Sequence, residues 1–223
     1  LGPFAAKWDS FRKGTGPATV AIIGGGVAGA ELAMAMAHAL KLRKRPATIH
    51  LIDDATALSA LPANSATQLR AAIKALNIVL HENVQITHLG KHTISLDDGS
   101  SITAQFITGA AGARPYPWMA QTGLTTHDGF LTVNDRLQTS DPRIFAVGDC
   151  AHMAHAPRPK AGVYAVRQAP VLFHNLASSL SGGPLKTYVP QKDYLKLISL
   201  GKKSALGDRF GVTFTGPWVW DWK

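Results

Sequence analysis

Thr19-Val-Ala-Ile-Ile-Gly24-Gly25-Gly26-Val-Ala-Gly29-Ala-Glu31 is the stretch whose reading decides the fold. Val20 to Ile23 are apolar and β-branched or small, as a parallel strand buried on both faces requires. Gly24 and Gly25 permit a tight turn. Gly26 lets the backbone approach a pyrophosphate, and Gly29 lets the next helix pack close to the strand. Val27 and Ala28 open a helix expected to run to about Leu42, its amide-rich N-terminus facing the phosphates. Ala30, Leu32, Ala33, Met34, Met36 and Ala37 give it an apolar, helix-forming face. Lys41, Arg43, Lys44 and Arg45 suit the negative end of its dipole, and Pro46 stops it.

Ala47 to Ile52 reads as a second strand and ends in Asp53. The spacing from Gly29 to Asp53 is close to the roughly 20 residues expected before a carboxylate that binds a ribose 2′-hydroxyl. No Arg or Lys lies between Asp53 and Ser65. A 2′-phosphate would meet Asp53 and Asp54 instead of a cation, which favours NADH over NADPH. The other reading is a Rossmann unit that keeps the fold without the ligand.

At 223 residues and 46% hydrophobic content the chain can form one large or two small domains with a substantial core. Its one cysteine excludes a disulfide framework and a zinc cluster, and a lone thiol fits a reducing cytoplasm. His88 and His92 fall on expected strands, not on one helix face, so no metal site is expected. No apolar run is long enough to span a bilayer. The formal charge is +9 and uneven. Residues 1–45 carry seven Lys/Arg against two acids, residues 46–183 carry nine of each, and residues 184–223 carry seven against three. Basic ends on a neutral middle read either as solvated lysines or as peripheral contact with anionic lipid on the inner membrane face. No nucleic-acid motif accompanies them, so nucleic acid is not an expected partner. The start at Leu1 and the end at Trp218-Val-Trp-Asp-Trp-Lys223 read as those of a fragment.

Along the chain, residues 1–17 read as a helix tail and linker, and 18–135 as the first body. A helix is expected over Asn64 to Asn77, with Asn64 or Ser65 as its N-cap. Short strands are expected at Ile78 to Leu80, Val84 to Leu89, His92 to Leu96, Ser101 to Thr103, Gln105 to Thr108 and Phe130 to Val133. Ala161 to Leu180 reads as a helix that Pro170 should kink. Tyr194 to Leu200 and Arg209 to Thr215 read as the two strands of a hairpin.

A second motif lies at Thr139-Ser-Asp-Pro-Arg-Ile-Phe-Ala-Val-Gly148-Asp149. Ile144 to Val147 is expected as a buried strand, with Gly148 and Asp149 at its C-terminal end, where open α/β sheets bind ligands. The helix near Ala161 would aim its N-terminus at whatever lies beside Asp149. A flavin suits that place, because its N1–O2 edge becomes negative on reduction and a positive helix end stabilises the charge. Lys160 precedes the helix and is either a solvated lysine or a guide for an anionic or quinone substrate. Cys150 reads either as a small buried residue after the strand or as a redox thiol near the flavin.

The order Gly24 to Glu31, Ala111-Gly112-Ala113-Arg114-Pro115, then Phe145-Ala-Val-Gly-Asp149-Cys-Ala resembles pyridine nucleotide-disulfide oxidoreductase-type flavoproteins. Lys160 to Gln168, Pro190 to Gly201 and the Trp-rich end are most similar to a branch related to type II NADH dehydrogenases and sulfide:quinone reductases. That branch is often fused with, or adjacent to, selenophosphate synthetase. The resemblance implies that Gly24, Gly25, Gly26, Val27, Ala28, Gly29 and Asp53 hold NADH, with Gly112 in a neighbouring loop. It implies that Glu31 lies at the nicotinamide–flavin face, that Gly148 and Asp149 hold FAD, and that Ala161, Gly162 and Val163 cover the flavin pyrimidine edge. The family's first FAD half would precede Leu1, and Ala111 stands where the family usually has Thr. With no Cys-x-x-Cys and no His in residues 184–223, a disulfide substrate is not expected.

The expected fold is therefore α/β. A Rossmann-type NAD-binding domain (18–135) is inserted in a split FAD-binding domain (tail 1–17, and 136–183), followed by a short C-terminal β-hairpin (184–223). The expected reaction passes a hydride from NADH to FAD and then electrons to an acceptor such as a quinone. A sulfide:quinone reductase-like flavoprotein and a non-catalytic accessory domain of a selenophosphate synthetase fusion are the alternatives. The expected location is cytoplasmic, with or without peripheral membrane contact.

Overall fold

Aromatic packing ties the first helix to the first sheet in the computed structural model, which describes residues 2–223. Helix α1 (Gly2–Arg12) precedes strand β1 (Ala18–Ile23). Trp8 and Phe11 of α1 meet the ring of Phe106 with centroids 5.3 and 5.2 Å away. Arg45 stacks its guanidinium on Phe11 and donates to the Gly16 carbonyl at 2.8 Å. The stretch read as a helix tail and linker thus holds a helix over Gly2–Arg12, packed through Phe4, Trp8 and Phe11. Next come α2 (Val27–Leu42), β2 (Ala47–Ile52), α3 (Ala63–Ala75) and β3 (Ile78–His81). The meander β4 (Ile86–Leu89), β5 (Thr93–Leu96) and β6 (Ser101–Thr103) leads to β7 (Phe106–Gly109).

Strands β3-β2-β1-β7 form a four-stranded, all-parallel sheet. This is a Rossmann-type order: strands are added outward from β1 to β3 and then on the other side of β1 with β7, so the ligand crevice lies at the C-terminal ends of β1 and β7, where the strand order switches. Val20, Ile22 and Leu51 are fully buried, and the packed face of α2 contributes Ala30, Ala33, Met34, Met36 and Leu40. The expected N-cap of α3 is corrected. Pro62 caps it without a side-chain bond, while Ser65 is completely buried and turned into the core.

The chain divides into two compact units, Leu1–Ala111 with Leu195–Lys223, and Gly112–Tyr194. The second unit holds β8 (Thr126–His127), β9 (Phe130–Val133), β10 (Ala151–Met153) and α4 (Gly162–Ser181). Strand β9 pairs with β8 antiparallel and with β10 parallel, so β8 and β9, expected in the first domain, share a sheet with β10. The strand expected at Ile144 to Val147 is absent. Only a single bridge joins Gln138 to Phe145, and Ile144 is 42% exposed. The backbone there folds into a turn: Ile144 N–H donates to the Asp141 carbonyl at 2.9 Å, and Thr139 N–H to the Ile144 carbonyl at 2.9 Å. Helix α4 continues through Pro170, which has no N–H to offer the Val166 carbonyl one turn back.

The C-terminal segment is a three-stranded antiparallel sheet, not the expected hairpin. Its strands are β11 (Lys196–Gly201), β12 (Ser204–Arg209) and β13 (Val212–Gly216), followed by the short helix α5 (Pro217–Trp220). The unforeseen central strand buries Ala205, Leu206, Gly207 and Asp208. Asp208 is wholly buried and accepts from the Ser65 hydroxyl of α3, with Lys196 Nζ at 3.3 Å. That cluster, which Thr213 joins at 2.9 Å from Ser65, fastens the C-terminal sheet to α3 within the first unit. Removing a donor from a buried carboxylate leaves it under-satisfied, so Ser65→Ala should lower the unfolding free energy by about 1–3 kcal/mol. Urea denaturation measures this; an unchanged midpoint would mean that Lys196 alone satisfies Asp208.

Candidate functional site

The glycine turn sits at the crevice between β1 and β7. Gly24 has φ +109°, and a Cβ there would lie 2.8 Å from the backbone of Ala110 and Ala111. At Gly25 a Cβ would meet Ala57 Cβ at 2.8 Å and Asp53 at 2.9 Å; at Gly29 it would fall 1.8 Å from the Gly24 carbonyl. The protein itself therefore demands these three glycines. Gly26 differs. It is exposed, and a Cβ would meet nothing within 4 Å. Gly109, at the end of β7, is equally open. Gly26 is also the N-cap of α2, which has no side-chain cap, so the first amides of the helix (Val27, Ala28) have no capping side chain. Open backbone at an uncapped helix start is a cradle for a phosphate group.

Asp53 stands where β2 ends. Its Oδ2 accepts from the Gly25 N–H, and Oδ1 accepts from the Ala55 N–H at 2.9 Å. A carboxylate offers about four lone-pair sites, so two remain for ribose hydroxyls. The structure thus brings Asp53 onto the glycine turn. Glu31 has partners of its own. Its Oε1 accepts from the Ser199 N–H of β11 and from Lys223 Nζ, so the carboxylate ties α2 to the C-terminal sheet. Gly112, at φ +82°, has open space around it.

In the second unit, Gly148 (φ +68°) and exposed Asp149 lie on a single 3-10 turn, not at the end of a strand. The sequence reading missed the residue that holds this turn. Gln168 of α4 is 1% exposed, and its side-chain oxygen accepts from the Gly148 N–H at 2.7 Å while its amide reaches Met153 Sδ at 3.3 Å. A polar residue on the buried face of a helix was the available signal. Helix α4 begins with Ala161 as N-cap, again without a side-chain cap, and Gly162 has open space. Val163 in the first turn is half-buried.

Lys160 is half-buried; its Nζ donates to the Ala151 carbonyl and lies 4.0 Å from the Phe130 ring centroid. Burial pushes its pKa down, against an upward pull from Asp149 and Cys150. Its side chain is committed to that packing. His152 stacks on His127 at 4.0 Å, and burial, then His127 and Lys160, lower its pKa. Cys150 Sγ donates to the Val147 carbonyl at 3.1 Å. Among the described residues no helix is long and apolar enough to cross a membrane.

Residues 4–169, which include both glycine turns, Asp53 and Asp149, match the family model described as pyridine nucleotide-disulphide oxidoreductase. The chain belongs to this family. It is 31% identical over 219 residues to the type II NADH:quinone oxidoreductase of Haemophilus influenzae, covering 86% of this chain and 47% of that protein. It is 36% identical over 141 residues to the nitric oxide reductase FlRd-NAD(+) reductase of Klebsiella pneumoniae, covering 60% and 36%. The sulfide:quinone oxidoreductase of Aquifex aeolicus shares the fold with a TM-score of 0.75 at 17% identity, over 97% of this chain and 58% of that one. The chain thus spans less than half the length of these two curated relatives.

The two kinds of glycine separate by substitution. Gly29→Ala forces a methyl into backbone and should cost more than about 3 kcal/mol of stability. Gly26→Ala, at an open helix cap, should cost about 1 kcal/mol or less. Urea unfolding of both variants checks the contrast.

Proposed function

We propose that this chain supplies the NADH-binding unit, and the C-terminal part of the FAD-binding unit, of a flavoprotein oxidoreductase. In this reading a hydride passes from NADH to FAD, and electrons pass on to an acceptor, for which we favour a quinone. One observation carries the proposal: no neighbour in the protein bars a side chain at Gly26, which sits at a helix start without a side-chain cap, close to Asp53. A dinucleotide supplies the reason. Family membership and a relative named as an NADH:quinone oxidoreductase support the rest.

Each residue has a share of the work. Backbone amides at Gly26, Val27 and Ala28 meet the diphosphate, aided by the positive end of α2. Asp53 accepts from the ribose hydroxyls, and with Asp54 repels a 2′-phosphate. Asp149 accepts from the sugar-alcohol chain of the flavin nucleotide, on a turn held by Gln168. The amides at Ala161 to Val163 present the positive end of α4 to negative charge. FAD, when bound, supplies the hydride acceptor and the electron relay.

The test is anaerobic titration of the full-length, FAD-loaded protein with NADH, following the flavin's visible absorbance. NADH should bleach it, and KM should be lower for NADH than for NADPH. Asp53→Ala should raise KM for NADH about tenfold, equivalent to about 1.4 kcal/mol, with little change in kcat. A lower KM for NADPH would contradict the role given to Asp53, and an NADH-inert flavin would contradict the whole reading.

A further inference from the structure

The loop after β2 carries the residues that shape the adenosine end of the proposed site, yet little of it is held by regular structure. Asp54, Ala55 and Thr56 are exposed. At its near end, Asp53 N–H donates to the His81 carbonyl at 2.8 Å, and Asn83 N–H reaches the Ala55 carbonyl at 3.2 Å. At its far end Leu58 adopts φ +63°, a left-handed conformation that leucine rarely takes, with its side chain 2% exposed. Such a residue persists only where its surroundings over-determine it.

Two side chains supply the missing hold. Arg70 comes from α3, and Glu82 follows β3 directly. They form a two-bonded fork: Arg70 Nη1 donates to Glu82 Oε2 at 2.9 Å, and Nη2 donates to Oε1. Both then turn to the same loop residue. Glu82 Oε1 accepts from the Ala57 N–H at 2.7 Å, and Arg70 Nη2 donates to the Ala57 carbonyl at 2.8 Å. One ion pair thus takes both backbone groups of Ala57. The opposite side of Ala57 presses on the glycine turn, where a Cβ on Gly25 would come within 2.8 Å of the Ala57 methyl. The next residue, Leu58, donates its N–H to the Gly25 carbonyl at 3.0 Å.

We propose that the Arg70–Glu82 fork is a positioning device for dinucleotide binding: it fixes Ala57 against Gly25, and so sets the spacing between Asp53 and the glycine turn. The inference rests on the NADH reading above and adds to it two residues that touch no ligand. Geometry separates it from an ordinary surface ion pair. The side chains are partly exposed, at 34% for Arg70 and 22% for Glu82, so solvent screening keeps their own contribution to stability small. Their hydrogen bonds nonetheless converge on Ala57, whose methyl lies against Gly25. A planar guanidinium matches this arrangement because its donors are fixed in a fork, which an ammonium lacks. The hydrogen bond from Arg70 also holds the Glu82 carboxyl below its usual range, so the pair is intact at neutral pH.

Loosening the loop lowers the fraction of protein that is competent to bind, and apparent affinity falls by that fraction. The test is calorimetric titration of the full-length, FAD-loaded protein with ADP-ribose, a probe that lacks the nicotinamide. Arg70→Gln and Glu82→Gln should each weaken ADP-ribose about tenfold, corresponding to a competent fraction near one tenth. The double variant should be little worse than either single, because both act through Ala57. KM for NADH should rise with kcat and flavin content maintained. Ser65→Ala, which destabilises the same unit from elsewhere, should leave ADP-ribose affinity unchanged and so separates positioning from stability. Arg70→Lys keeps the charge without the fork and carries the same expectation should Arg70→Gln fail to fold. Variants that bind like the wild type, within about twofold, overturn this inference alone, as does an equal loss in Ser65→Ala. A wild-type protein that ignores ADP-ribose overturns the NADH reading and this inference with it.

Discussion

The start of α2 crowds onto the end of β1 so closely that a methyl at Gly29 would overlap the Gly24 carbonyl. Much of the first unit follows from that contact. A parallel strand that turns at once into a packed helix must spend its turn on glycine, and Gly24 does so at φ +109°. The same tightness admits the backbone of Ala110 and Ala111, so the end of β7 lies against the turn. The meander β4–β6 fills the chain between β3 and β7, returning it to the sheet on the far side of β1. What is left pointing outward is an open glycine and an uncapped row of amides, which is electrostatically positive and unpartnered.

The second unit also has a helix start without a side-chain cap, at Ala161 of α4, but its glycine turn at Gly148 is a separate 3-10 turn. In the first, Gly26 opens α2; in the second, Gly148 and Asp149 lie on a turn that the buried Gln168 of α4 holds by its Gly148 end. Neither α2 nor α4 receives a side-chain cap. In each case a carboxylate (Asp53 or Asp149) stands near the glycine turn, and the proposed function has it accept hydroxyls rather than cap the helix. For the proposed function a bare helix start is an advantage, because a cap would compete with the phosphate. Asp53 accepts one bond per oxygen from the Gly25 and Ala55 amides, while Asp208 in the core, Glu82 on the 54–58 loop and Glu31 beside β11 make their contacts elsewhere.

Where local chemistry and tertiary packing agree, the structure was readable from residues. The helix from Val27 to Leu42 and the strands at Ala47 to Ile52, Ser101 to Thr103 and Phe130 to Val133 have the bounds that periodicity and breakers suggest. The failures share a cause. Ile144 to Val147 is apolar enough for a strand, but the preceding Thr139-Ser-Asp-Pro turn captures its first N–H. Strand β12 was hidden because Gly207 and Asp208 look like turn residues; each is buried by a partner distant in sequence, Phe214 over the glycine and Ser65 on the acid. Ser65 looked like a cap for the same reason. At the site, the glycines and Asp53 were legible from spacing alone. Arg70, Glu82 and Gln168 were not, since their roles depend on backbone groups that only the folded chain brings within reach.

The central claim is that the bare amides after β1 await a diphosphate. Hydrogen exchange of the full-length protein with and without NAD+ tests it at the atoms concerned. The account predicts slowed exchange at Gly26, Val27 and Ala28, with smaller changes in the 54–58 loop. Unaltered exchange at those amides under saturating NAD+, or protection confined to other segments, would contradict it.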